Sequence, residues 1–109
     1  MSAQAWRHAW DWLTEQPSPD KGGPTPAVRN VLLALASHAD HRTGRAWPSA
    51  VTISHATGYT ERWVRHAFDE LADVHGFTRE RRPGRTDMWY LPPIGPRHAR
   101  HLHAAASNA

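Results

Sequence analysis

Two short helical patterns separated by one glycine constrain the fold of this chain more than any other feature. Apolar residues recur at helical spacing around Gly58, with Ile53 before it and Val64 and Phe68 after it. A sharp turn between helices favours a residue that tolerates positive φ, as glycine does. Thr60 then supplies an oxygen that can cap the next helix. The sequence therefore predicts two helices joined by a tight turn, with the second helix over residues 60–75.

This second helix has a core side and a polar side. Val64, Phe68 and Leu71 lie at i, i+4 and i+7, which is the spacing of a core stripe. The polar side can present hydrogen-bond donors to base edges and phosphates in a major groove. An ordinary amphipathic helix with a solvated face is the alternative. The candidates for contact with DNA here are Ser49, Thr60, Glu61, Arg62, Trp63, Arg65, His66 and Asp69.

A β-hairpin is predicted over residues 77–91. Pro83 and Gly84 suit the two central positions of a type II turn, and the flanks alternate in polarity as strands do. Arginines crowd the turn, and because they repel one another, an anionic partner is the simplest explanation for them. A solvated surface hairpin is the alternative. The candidates for contact with DNA in the hairpin are Arg79, Arg81, Arg82 and Arg85.

Positive charge is concentrated in the same part of the chain. Residues 76–100 hold six arginines against two acidic residues, whereas residues 1–75 hold seven basic residues against eight acidic ones. A phosphate-contacting surface requires such a local excess of positive charge. The expected partner is double-stranded DNA.

The upstream sequence completes the architecture. Thr25 can cap a nearly continuous apolar helix that begins at Pro26, and residues 45–47 can add a short strand to the hairpin. We expect a mainly α fold with a small β-hairpin. Residues 1–92 are expected to form a single domain, in which 3–15 are an N-terminal helix and 16–24 a linker, while 93–109 are expected to be a flexible tail.

The chain resembles bacterial and phage winged helix-turn-helix DNA-binding proteins, both mobile-element regulators and N-terminal domains of replication initiators. The matching segments are residues 10–12, 31–40, 44–49, 57–62, 64–65 and 81–85. The resemblance implies three core helices plus an N-terminal helix, and a transcriptional regulator that reads duplex DNA. A replication or partition factor, and a winged-helix adaptor that binds protein, are the alternatives. Trp63 stands where a small polar residue is usual, and we expect it to be incompletely buried.

The N-terminal helix allows two interpretations. Trp6, Trp10 and Leu13 share one face of it. That face can pack on the helix's own domain, or it can form the interface of a homodimer.

Other functional classes have weak support. The absence of cysteine excludes disulfides and thiolate metal sites, and the nine histidines are not matched by a carboxylate that completes a tetrahedral site. We find no nucleophile motif, paired acids or phosphate loop, so we expect no catalytic residue, no metal and no cofactor. The sequence contains no membrane-spanning apolar run or secretory signal, which leads us to expect a cytoplasmic protein.

Overall fold

A computed structural model of the protein describes residues 3–91. In that part, four α-helices and a three-stranded antiparallel sheet follow the predicted order. This architecture confirms the predicted fold class and is consistent with a winged helix-turn-helix. The elements are α1 (Ala3–Thr14), α2 (Pro26–Ser37), β1 (Arg45–Ala46), α3 (Ala50–Thr57), α4 (Glu61–Asp73), β2 (Thr78–Glu80) and β3 (Met88–Tyr90).

Local sequence sets where the inner helices begin and where α3 ends. A side-chain oxygen at each start accepts a hydrogen bond from the backbone amide three residues ahead, which satisfies one of the free donors of the first turn. Gly58 ends α3 with φ at 82°, and its amide donates to the Ser54 carbonyl at 2.9 Å. The caps are Thr25 for α2, Ser49 for α3 and Thr60 for α4, with oxygen-to-nitrogen distances of 3.3, 3.1 and 3.2 Å.

The core is built around α2, which packs against α1, α3 and α4. Val31, Leu32 and Leu35 are completely buried, as the continuous apolar pattern of this helix predicts. On α4, the predicted stripe faces the same core. Val64, Phe68 and Leu71 are buried as predicted, and Ala67 is buried beside them.

The sheet has the strand order β1-β3-β2, so the predicted third strand is confirmed for Arg45–Ala46. In the hairpin, Arg79 lies directly opposite Trp89. The predicted turn is also present, because the Arg85 amide donates to the Arg82 carbonyl at 3.0 Å and Gly84 has φ at 71°. We call residues 77–91 the wing and residues 81–85 the wing tip.

The segment expected to be a linker is exposed over most of its length and buried at its end. It contains a 3₁₀ turn over Pro19–Lys21, and Gly23 and Pro24 are buried. Arg29 of α2 donates from its guanidinium to the carbonyls of Leu13 and Pro17 at 3.3 and 2.8 Å, and to that of Pro24 at 2.9 Å. Arg29, in the first turn of α2, thus ties both ends of the connection from α1 to this helix. The expected tail, residues 93–109, lies outside the described residues.

The proposed dimer face needs a correction. Leu13 is only 6% exposed and belongs to the core, so it offers little area to a second copy. Trp6 and Trp10 are 39% and 47% exposed, and their rings stack with centroids 5.4 Å apart. The interpretation that this helix packs on its own domain therefore holds for Leu13, while the two tryptophans remain accessible.

Candidate nucleic-acid interface

The first turns of α4 present a polar surface away from the core. Thr60 is exposed but its hydroxyl oxygen is occupied as the helix cap. Arg65 and Glu61 form an exposed ion pair at 3.4 Å, one turn apart. Such pairs contribute little to stability because water screens them, so Arg65 can exchange Glu61 for another anion. The Arg62 side chain is exposed and makes no hydrogen bond or ion pair within residues 3–91, so its guanidinium can bind an anion.

Trp63 is 60% exposed, which confirms that it is not a core residue. Its neighbour Val64 is completely buried, so the helix turns the indole away from the core. The Trp63 ring lies 5.9 Å from the ring of His66, one turn further along the same helix. These two rings form an exposed aromatic surface beside Arg62.

The arginines at the wing tip are in different situations. Arg85 is exposed at the end of the turn, and Arg81 is 71% exposed with only long ion pairs to Asp69 and Asp87, at 3.9 and 4.0 Å. Arg82 is half-buried, and its Nε donates to the Thr86 carbonyl at 2.9 Å. Arg81 and Arg85 therefore have free charge, whereas Arg82 also holds the shape of the turn.

Arg79 differs from the expectation that it faces DNA. Its side chain is only 9% exposed. Its guanidinium lies 3.1 Å from an Asp69 carboxylate oxygen and 3.8 Å from one of Asp87, and its central carbon is 5.3 Å from the centre of the Trp89 ring. One hydrogen bond to Asp69, the ion pair with Asp87 and the burial leave little of this guanidinium accessible to a phosphate.

Two further candidates also have internal partners. Ser49 caps α3, and its hydroxyl lies 3.1 Å from that of Thr52. Asp69 is exposed, but one of its oxygens accepts a hydrogen bond from Arg79. Their side chains are less available than those of Arg62 and Arg85.

A cleft of about 390 Å³ separates α4 from the wing. It brings together arginines from both elements and two aspartates. Sequence reasoning missed Asp87 and Thr86, of which the second donates from its hydroxyl to the Trp47 carbonyl at 2.7 Å and ties the wing to the segment after β1. Neither residue carries a local sequence signal. The charged residues that line the cleft are Arg65, Asp69, Arg79, Arg81, Arg85 and Asp87.

Comparison with protein families identifies a known domain within the chain. Residues 25–74 match the family model of a helix-turn-helix domain, which covers the stretch from the cap of α2 to the end of α4. The match supports a helix-turn-helix DNA-binding protein, and it stops before the wing. No curated protein and no solved structure shows significant similarity to the chain.

Among residues 3–91, no group of three or more His, Cys, Asp or Glu side chains is close enough to hold a metal ion. No helix in that range is long and apolar enough to cross a bilayer.

Proposed function

We propose that the protein is a transcriptional regulator that reads duplex DNA, with α4 in the major groove and the wing tip on the adjacent backbone or minor groove. One observation carries the proposal: accessible arginines of α4 and of the wing border the same cleft. Arg65 comes from the helix, and Arg81 and Arg85 come from the wing. A single duplex that passes this cleft can meet both sets.

The contacts divide into two classes. Arg62 and His66 project from the start of α4, where a recognition helix reaches base edges, and we assign them to base reading. Trp63 lies beside them and is assigned to the border between the bases and the backbone. Arg81 and Arg85 are assigned to phosphates or to a narrow minor groove, which attracts arginine through its negative potential.

The proposal is tested by selecting sites from a randomised duplex pool and then measuring binding of the selected and of a scrambled duplex over a range of salt concentrations. A reader of duplex DNA binds the selected site more tightly, and its affinity falls linearly on a logarithmic salt scale. Equal affinity for both duplexes would show that the protein does not recognise a DNA sequence. If neither duplex binds, the proposed DNA-binding function is excluded.

The same interface serves a replication or partition factor of a plasmid, phage or other mobile element. The two roles differ in where the selected site lies, at a promoter or at an origin. With either role we propose a cytoplasmic location, which rests on the resemblance to bacterial and phage proteins.

One observation favours a protein partner as a second function. The stacked rings of Trp6 and Trp10 form an exposed apolar surface on α1. Such rings suit a homodimer or an adaptor contact, since tryptophan is enriched at protein interfaces. Sedimentation of the wild type and of Trp6→Ala/Trp10→Ala tests it: a dimer that the variant loses supports the homodimer, and a monomer in both excludes it.

A further inference from the structure

We propose that Arg79 is a positioning residue that fixes the wing to α4, so that one duplex is read by the helix and the wing together. The inference rests on the proposed function. It also assigns Asp69 and Asp87 a role that acts through Arg79, and not through contact with bases.

Two neighbouring residues of α4 meet two neighbouring residues of the wing. Phe68 packs against Trp89 with ring centroids 5.2 Å apart, and Asp69 pairs with Arg79 at 3.1 Å. Arg79 and Trp89 are themselves a cross-strand pair, and the guanidinium lies over the indole. These two contacts lie side by side between the wing and α4. The Phe77 amide, which donates to the Leu71 carbonyl at 2.9 Å, and the long Arg81–Asp69 ion pair add to them.

The polar contact restricts the orientation of the wing more than the apolar contact does. A guanidinium presents its donors in a planar fork, so it restricts the angle between the groups that accept from it. Here two carboxylates from different elements meet the guanidinium. Asp69 on α4 accepts a hydrogen bond from it at 3.1 Å, and Asp87 just before β3 forms an ion pair with it at 3.8 Å. With a side chain only 9% exposed, Arg79 is weakly screened by water and salt. Its geometry thus sets where the wing lies relative to α4.

The consequence for DNA concerns the tip. Arg81 and Arg85 lie beyond the Arg79 contact, and they reach a flanking phosphate only if the wing holds its angle. Loss of Arg79 should leave base reading by α4 intact, whereas the wing's contribution to DNA affinity should be lost. A general loss of fold would instead weaken both contributions together.

The experiment compares two duplexes for each variant. One is the selected site with its flank, and the other is trimmed to the bases that α4 reads. The ratio of their dissociation constants isolates the wing. We expect roughly a tenfold ratio for the wild type, because each wing arginine adds a phosphate contact with counterion release. Arg79→Met should bring the ratio close to one, with affinity for the trimmed duplex unchanged. Arg79→Lys should restore only part of the wild-type ratio, because its ammonium keeps the positive charge but lacks the planar fork of donors.

The aspartates separate positioning from direct contact. If Arg79 touched DNA, Asp69→Asn and Asp87→Asn would free it and raise the ratio. If Arg79 positions the wing, both variants lower the ratio, as Arg79→Met does. Asp73→Asn is the control for removal of a negative charge, because Asp73 is exposed on the same helix and has no ion pair within residues 3–91.

A measurement without DNA keeps the inference independent of the proposed function. Amide hydrogen exchange should become faster in β2 and β3 of folded Arg79→Met, while α2 keeps its protection. If the wild type binds no duplex, the proposed function fails, and this exchange pattern still decides whether Arg79 holds the wing. An unchanged ratio in folded Arg79→Met, or unchanged exchange in the wing, would overturn the inference.

Discussion

The wing contains arginines in two opposite environments, and their comparison shows how a charged residue is assigned a role. At the base, Arg79 is nine-tenths buried between two carboxylates and an indole ring. At the tip, Arg85 is exposed after a tight turn, and Arg81 is 71% exposed. The residue type is identical and the positions are close in sequence. What differs is the set of neighbours that the folded chain places around each guanidinium.

The difference has a physical cause. A buried guanidinium must form its hydrogen bonds and ion pairs inside the protein. Removing one of those partners leaves a buried charge unpaired, which lowers the free energy of unfolding. An exposed guanidinium is hydrated and weakly paired, so it can bind a phosphate without first losing a strong contact. We therefore expect changes at the base to reduce stability and changes at the tip to reduce binding. The following predictions test that division.

The largest effect is expected at the base, from Trp89→Ala. Trp89 is completely enclosed, packs on Phe68 and supports the Arg79 guanidinium. Removing such a buried ring leaves a cavity and costs about 3–5 kcal/mol of unfolding free energy. Chemical denaturation measures it. Trp47→Ala is the matched control, because Trp47 is 49% exposed and accepts the Thr86 hydrogen bond through its backbone. Equal losses in the two variants would contradict the division.

Arg62→Ala should show the reverse behaviour. Arg62 is exposed on α4, so its loss should change stability by less than about 0.5 kcal/mol. Binding to a selected site should weaken by about 1–3 kcal/mol if the residue reads a guanine edge, and the same applies to Arg65→Ala. Titration with the selected duplex measures the loss. Arg7→Ala, on α1, is the control. Full affinity in both α4 variants would exclude major-groove reading by this helix.

Removal of the two accessible tip arginines should reduce the salt dependence of DNA binding. Arg81→Ala/Arg85→Ala should flatten the slope of log K against log salt by about two, because two phosphate contacts are lost. Arg82 is kept, since its hydrogen bond to the Thr86 carbonyl supports the turn. Thermal unfolding should be unaltered. Arg7→Ala/Lys21→Ala removes the same charge from the N-terminal segment. A salt slope that changes equally in both double variants would show that the tip does not touch DNA.

The smallest effect concerns Tyr90, which pairs with Thr78 at the end of the hairpin away from the tip. Its hydroxyl donates to a Glu80 carboxylate oxygen at 2.8 Å, and this hydrogen bond raises the pKa of Tyr90 above its ordinary value of 10.0. Because the folded pKa is the higher one, the contribution to stability is complete below pH 10 and is lost as pH rises through the folded value. Tyr90→Phe should cost about 0.5 kcal/mol at neutral pH, at the low end for a hydrogen bond.

Tyrosinate absorbance during an alkaline titration checks this sign. Glu80→Gln removes the anionic acceptor, so the Tyr90 transition should move to lower pH in that variant. A transition that stays in place would show that Glu80 is not the cause, and that the Tyr90 hydroxyl is unpaired in solution.

Most of the local structure could be predicted from the sequence. The caps at Thr25 and Thr60, the turns at Gly58 and Gly84, and the stripe of Val64 and Phe68 depend on residues close together in the chain, and the structure confirms each of them. The accessible face of α4 followed from the same periodicity. The exposure of Trp63 also followed, because the core side of the helix was already occupied.

What the sequence alone determined is therefore the order of the elements, their boundaries within a few residues, and the local excess of arginine. The tertiary structure decided which arginines are free. Asp69 lies ten positions before Arg79, and Trp47 lies 39 positions before Thr86, so neither contact has a periodic signature. The burial of Leu13 and of Pro24, and the hydrogen bonds of Arg29 to the Leu13 and Pro17 carbonyls, were likewise decided by how separate elements pack. The physical reason is range: caps and turns act within a few bonds of backbone, whereas burial and ion pairing depend on how separate elements come together.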